Sequence, residues 1–242
     1  MRHTGSNASA SSFIDFVNLI ESLHLVSGTP IFRGQSVEGN LLPGIARGDP
    51  LRDTTDLEKD MLNQLSLVAA TQLPAQLTDL DLLVIAQHHG MKTRLLDWTS
   101  NPLAAAWFAC NDTKEGDVFV YAFDTQDALL ESPYSVGPFD HGETKVFQPR
   151  QNNPRIVAQQ GWFTLHCFSP RSTRWVPLEK NADLKSRLIQ IEIPADSRTE
   201  MLESINRHGT STRNLFPDLD GICRHLNWRM GANSTLHRTV GR

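Results

Sequence analysis

Cysteine is scarce in this chain of 242 residues: Cys110, Cys167 and Cys223 are widely spaced and odd in number. That is no disulfide framework, and no CxxC pair points to zinc. A reducing cytoplasm is the expected setting. No apolar run approaches the ~18–20 residues that cross a bilayer, so no membrane partner is expected. The opening segment, MRHTGSNASASS, is polar and lacks the apolar core of a signal peptide. Residues 1–12 therefore read as a flexible N-terminus. Positive charge is not in excess either, since 23 Lys and Arg face 27 Asp and Glu for a net charge of −4. No global basic field attracts nucleic acid, which leaves it only a local basic patch. Internal repeats and low-complexity linkers are absent as well, so residues 13–242 read as one domain.

The composition is otherwise an ordinary globular mixture, 39% hydrophobic and 21% charged, in a chain long enough to bury most of its apolar surface. Phe13, Phe16, Val17, Ile20 and Leu23 recur at helical spacing over Ser12–Leu25, with Ser11 or Ser12 as cap and Gly28 and Pro30 as stop. A short strand comes next at Pro30–Arg33. A second helix is expected over Thr54–Thr71, its face formed by Leu57, Met61, Leu65 and Val68, and a third over Leu80–His88. Leu95–Thr99 reads as a buried strand, and Asn101-Pro102 opens a helix through Cys110, because proline's missing N–H costs little in a first turn. Asp117–Phe123 is the clearest strand, rich in β-formers after Gly116. Residues 131–153 look like loop. Further strands are expected at Arg155–Val157, Gly161–His166 and Arg187–Ile193, then a helix over Asp196–Arg207 and a short one from Asp218. The class is α+β: a small mixed sheet with an N-terminal helix and intervening helices.

Polar residues cluster at four places. In Ile31-Phe32-Arg33-Gly34-Gln35 an arginine sits in an apolar strand, where its charge needs partners. Arg33 either grips a phosphate or carboxylate with its planar fork or pairs with an internal carboxylate such as Asp97. Gly34 permits a close backbone approach or a positive φ. The second place is Gln87-His88-His89-Gly90 together with the segment from Thr93 to Asn101. Adjacent histidines point to different sides of a helix, so His88 and His89 do not make a helical metal pair. Asp97, Trp98, Thr99, Ser100 and Asn101 end a strand just before a helix. Hydroxyls and N–H groups there hold an anion, or one of them caps the helix. At the third place, Arg155, Gln159 and Gln160 offer donors and amides, with Trp162 or Phe163 as stacking surface or core. The fourth, Asn214 to Gly221, reads as a structural turn whose carboxylates cap a helix.

These motifs resemble the FRG domain family. Phe32-Arg33-Gly34 matches the motif that gives the domain its name. Leu42-Pro43, Ala86 to Gly90, Thr93 to Thr99, Asn101-Pro102-Leu103, Arg155-Ile156, Gln159, Gly161 to Phe163 and Phe216 to Gly221 are similar to the family pattern in the same order. The resemblance runs from about Ile31 to Leu226, so 13–242 is expected to be one FRG-like domain. It gathers Arg33, Gly34, Gln87, His88, His89, Arg94, Asp97, Trp98, Thr99, Ser100, Asn101, Arg155 and Gln159 as candidate ligand-binding residues, with no catalytic residue assigned.

A weaker resemblance is to the arginine–serine–glutamate class of ADP-ribosyltransferases. It implies NAD as substrate or ligand, with Arg33 on its phosphate or ribose and Thr99-Ser100 shaping the nicotinamide pocket. Where that class places its glutamate, this chain has Arg155 and Gln159, and Glu143 lies upstream in a loop. Two functions are implied. One is an ADP-ribosyltransferase-like enzyme acting on NAD or nucleic acid in a toxin or phage-defence setting. The other is a non-catalytic domain that binds a nucleotide or another phosphorylated ligand as a sensor, or that serves as an interaction module.

Overall fold

Between Val118 and Asp124 every side chain is buried, in a strand that has a layer packed on each face. Val118, Val120 and Ala122 point into one core and Phe119, Tyr121 and Phe123 into another, the two-residue period of a strand. The computed structural model, which describes residues 7–23, 29–112 and 114–231, builds the molecule around this strand. In chain order the elements are β1 (Asn7–Ser9), α1 (Phe13–Ser22), β2 (Pro30–Gln35), α2 (Thr55–Val68), α3 (Asp79–His88), β3 (Leu95–Thr99), α4 (Pro102–Cys110), β4 (Val118–Asp124), β5 (Lys145–Phe147), α5 (Pro154–Ala158), β6 (Gly161–Leu165), β7 (Phe168–Ser169), β8 (Arg174–Trp175), β9 (Leu188–Ile193), α6 (Arg198–Arg207), α7 (Thr212–Leu215) and α8 (Leu219–Arg229).

Seven strands form one mixed sheet in the order β1-β9-β4-β2-β3-β6-β5, and β7 and β8 form a separate ribbon. The expected α+β class, a mixed sheet with helices, is what forms. Helices α1, α4 and α6 cover one face through Phe16, Ala105, Trp107, Met201 and Ile205. Helices α2 and α3 cover the β3-β6-β5 end through Leu62, Leu80 and Leu83. Among the described residues no helix is long and apolar enough to cross a membrane.

Four expectations need correction. Asn7–Ser9, read as part of a flexible N-terminus, form strand β1, which pairs in parallel with β9, and Ala10 N–H donates to the Glu192 carbonyl at 2.8 Å. Residues 1–6, and the expected helix stop at Gly28, lie outside the described residues. Residues 145–147, read as loop, pair with β6. The expected strand at 155–157 is helix α5: Asn153 Oδ1 caps it by accepting from Arg155 N–H at 2.8 Å, and Pro154 occupies the first turn. That start signal outweighs the β-branched Ile156 and Val157. Finally, α2 does not bury Leu57 and Val68, which are exposed, but Glu58 and Leu62.

The cause of that rotation is Arg94. Its side chain and that of Glu58 are both enclosed, with Arg94 Nε donating to Glu58 Oε2 at 2.7 Å. Glu58 Oε1 also accepts the Arg94 backbone N–H at 2.6 Å, and the guanidinium lies 4.2 Å over the Phe139 ring. Burial raises the Glu58 pKa, and the Arg94 charge opposes that rise. A buried carboxylate is tolerable only with such a partner, so α2 turns Glu58 inward.

Candidate functional site

Strands β2 and β3 meet at a single register pair, Phe32 opposite Thr99, although β2 pairs with β4 along its whole length. Beyond that pair the two strands part, and a cleft opens between them. Arg33 spans the gap. Its Nη1 donates to the Asp97 backbone carbonyl at 2.7 Å, taking the place of a ladder hydrogen bond, and its Nε donates to Gln35 Oε1 at 3.2 Å. The Asp97 carboxylate is 3.9 Å from Nη1 and 59% exposed, so the arginine is tied to that residue's backbone more closely than to its charge. Among the described residues Nη2 has no acceptor. Burial lowers the Arg33 pKa from 12.5 to about 10, with the Asp97 charge opposing the fall, so the fork stays protonated at neutral pH.

Gly34 has a different task. A Cβ built on it would stand 1.8 Å from the Ala105 carbonyl oxygen and 2.8 Å from Ala109 N, so its bare backbone lets α4 lie directly on β2. Helix α4 begins where the sequence places it: Asn101 Oδ1 accepts from Leu103 N–H at 2.9 Å and Ala104 N–H at 3.3 Å.

The opposite wall is a chain of amides and carboxylates. Thr93 Oγ1 donates to Gln87 Oε1 at 2.7 Å, and Gln87 Nε2 donates to Asp97 Oδ2 at 2.9 Å, which fixes that carboxylate at the mouth. Burial lowers the His88 pKa, helped by His89 and Arg155, so the imidazole is neutral at neutral pH. Arg155 gives both Nε and Nη2 to Asp218 Oδ2, while Asp218 Oδ1 caps α8 by accepting from Gly221 N–H at 2.8 Å. Gln159 Nε2 donates to the Leu215 carbonyl at 3.1 Å. These bonds draw the turn at Phe216 against the cleft.

The cleft has a volume of about 710 Å³, within the range of small-molecule sites. Of the candidates, Arg33, Gly34, Gln87, His88, Asp97, Trp98, Thr99, Arg155 and Gln159 line it. Four do not. Arg94 is sealed in the core against Glu58; His89 is exposed on the far side of its neighbour; Ser100 and Asn101 turn to Gln160 and to the α4 cap. Thr99 is committed to Gln159 O at 2.6 Å and Asn101 N at 2.9 Å. Trp162 and Phe163, weighed as stacking surfaces, are both core.

Other residues complete the lining, notably Arg47, Lys114, Asp112, Phe108 and Phe216. Phe216 stands in the turn that reads as structural, and the others come from loops and from helix α4, where no local pattern marks them. The Lys114 backbone N–H and then the Ser36 hydroxyl lower the Asp112 pKa. Glu143 pairs with Lys145 and lines a separate cavity beside Cys167, so it is no substitute for a cleft glutamate. Among the described residues no group of three His, Cys, Asp or Glu side chains is placed to hold a metal ion.

The family model for the FRG domain matches residues 29–118. The chain carries an FRG domain. No curated protein and no solved structure matches it. The FRG match supplies β2, the Gln87–Asp97 wall, α4 and the loop with Asp112 and Lys114. Arg155, Gln159, Phe216 and Asp218 lie C-terminal to it, so the FRG segment and the C-terminal half of the chain build the cleft together.

Behind the cleft, Trp98 Nε1–H donates to Thr164 Oγ1 at 3.0 Å, and that oxygen lies 3.0 Å from His166 Nε2. Burial, with Arg33 and Arg94 nearby, pushes the His166 pKa down to about 3. The imidazole is therefore neutral, and its Nε2 is free to accept the Thr164 hydroxyl proton.

Proposed function

We propose that the cleft binds a phosphorylated nucleotide of the NAD class through Arg33, as a ligand-sensing site. One observation carries this: the Arg33 fork is pinned on two of its nitrogens and charged at neutral pH, and its third, Nη2, lacks a protein acceptor among the described residues. An ordered, charged donor of this kind suits a phosphate oxygen. Arg47 and Lys114 add positive charge, and the half-buried Phe108 offers an aromatic surface to a base. The residues present thus fit the group that the ADP-ribosyltransferase resemblance implies.

Transfer of ADP-ribose is the second reading. At the position of that class's glutamate, Arg155 and Gln159 are both engaged, with Asp218 and the Leu215 carbonyl. Among the described residues only Asp97 and Asp112 bring carboxylates to the cleft, and an oxocarbenium ion needs a placed negative charge. The favouring observation is that Gln87 holds Asp97 in the same cleft as Arg33.

Calorimetry with NAD, ADP and the phosphate-free nicotinamide riboside tests the proposal. NAD and ADP are expected to bind and the riboside to bind far more weakly. Arg33→Lys keeps the charge and loses the fork, and affinity should fall roughly tenfold to hundredfold, the worth of a charged hydrogen bond. Lys114→Ala, which leaves the sheet untouched, should weaken binding less. Binding of no nucleotide, or equal affinity for the riboside, overturns the reading. Release of nicotinamide from labelled NAD, abolished by Asp97→Asn, would favour transfer.

A further inference from the structure

The cavity beside Cys167 shares no lining residue with the cleft and is larger, about 990 Å³. One wall is the β7–β8 ribbon, and the two-residue period of a strand decides which side chains reach it. Phe168 and Trp175, a register pair, pack against Leu42 and Ala46. Ser169 and Arg174, the next pair, take the other side and line the cavity, together with Cys167 and Val176. The hairpin tip adds Arg171, and the single 3-10 turn Leu178–Lys180 adds Lys180. In the same tip the β-branched Thr173 is held at φ 48°, a strain of the kind that ligand clamps carry.

Three cations thus line one hollow. Among the described residues none of the Arg171, Arg174 and Lys180 side chains has a hydrogen-bond or ion-pair partner. Of the two carboxylates in the lining, Glu143 is taken by Lys145, which leaves Asp183 alone against the three. The hollow is therefore positive in a chain whose net charge is −4. Like charges gathered there repel one another, and an anionic ligand relieves the repulsion.

We infer that this cavity is a second anion site, which takes a small molecule bearing two or more linked phosphates. The two guanidinium forks suit phosphate oxygens, and the ammonium of Lys180 acts as a point charge. A chain of phosphates spreads its charge over three separate cations, which a single phosphate group does not. Thr144, Ser169 and Ser172 add hydroxyl donors to the lining.

The thiols of the full chain supply the test. Cys167 lines the cavity, and the exposed Cys223 on α8 is a control in the same tube. N-ethylmaleimide alkylation is followed peptide by peptide, at fixed pH and ionic strength, with tripolyphosphate as the probe. Tripolyphosphate should slow the reaction of Cys167 severalfold and leave Cys223 unchanged. Arg174→Ala should raise the half-protecting concentration roughly fivefold, the worth of an exposed ion pair. The triple variant Arg171→Ala, Arg174→Ala, Lys180→Ala should abolish protection; all three side chains are exposed, so its melting point should stay at the wild-type value. Arg33→Lys, in the cleft, should leave protection intact. Four results would overturn the inference. No protection means that no phosphate chain binds there, and equal protection by chloride at the same ionic strength means screening alone. Protection that survives the triple variant, or is lost in Arg33→Lys, places the anion elsewhere. Stronger protection by an oligonucleotide of matched phosphate concentration means that the cations follow a nucleic-acid backbone.

Discussion

Replacing Gly34 by alanine adds one methyl group at the point where α4 rests on β2. The new Cβ would lie 1.8 Å from the Ala105 carbonyl oxygen, roughly 1.6 Å short of ordinary contact. A second backbone atom, Ala109 N, stands at 2.8 Å. No side-chain rotation relieves this, because every opposing atom is main chain. Helix and strand must separate, loosening Ala104–Ala106 against the sheet. Overpacking a tight core costs about 1–3 kcal/mol, and a clash against rigid backbone belongs at the top of that range. For a domain of this size, 3 kcal/mol lowers Tm by about 6–12 °C. Thermal unfolding followed by circular dichroism reads the shift directly. Gly48→Ala serves as control: nothing lies within 4 Å of its Cβ, so it should be neutral or stabilising by up to about 1 kcal/mol. A Gly34→Ala melting point within about 2 °C of wild type would refute the close-approach argument.

Two further predictions concern buried charge. Glu58→Ala strands the Arg94 guanidinium and removes the acceptor of its backbone N–H. The expected loss is about 3–5 kcal/mol, read from urea midpoints, with partial recovery in the Glu58→Ala, Arg94→Met double variant; a loss below about 1 kcal/mol would count against the pair. His166 predicts a pH dependence. Its folded pKa, about 3, is depressed from 6.5, so the unfolded chain takes up a proton below about pH 6.5 that the folded chain refuses until about pH 3. Its contribution to stability is intact above pH 6.5 and declines by up to about 1.4 kcal/mol per pH unit through that window. Urea unfolding of wild type and His166→Gln between pH 7.5 and 4.5 should show the variant's slope shallower by one proton; equal slopes would contradict a buried neutral imidazole.

The local signals in the sequence translate well where backbone chemistry decides. The Asn101-Pro102 cap, the β-rich run at Val118–Phe123 and the turn at Phe216–Asp218 each lie where their residues indicate. Arg33, Gln87, His88, Asp97, Arg155 and Gln159 reach one cleft from distant segments. The rest depends on pairings that no window of sequence contains. Glu58 reads as the polar side of α2 until Arg94 is placed opposite it. Arg94 reads as a ligand donor for the same reason. The parting of β2 from β3 is a tertiary event, since both segments look like ordinary strands. Arg47 and Lys114 become cleft residues only because loops bring them there.

Asp218 divides its two oxygens between two structures: Oδ1 starts α8 and Oδ2 holds Arg155 at the cleft wall. A single carboxylate thereby joins the proposed ligand site to helix α8, with Phe216 packed between them. Thermodynamic linkage makes any such connection reciprocal. If an occupied cleft tightens the grip on Asp218 and so steadies α8, a change that steadies α8 must raise ligand affinity by the same factor. Hydrogen exchange at the α8 amides would then slow as the cleft fills, and a helix outside the cleft would report its occupancy.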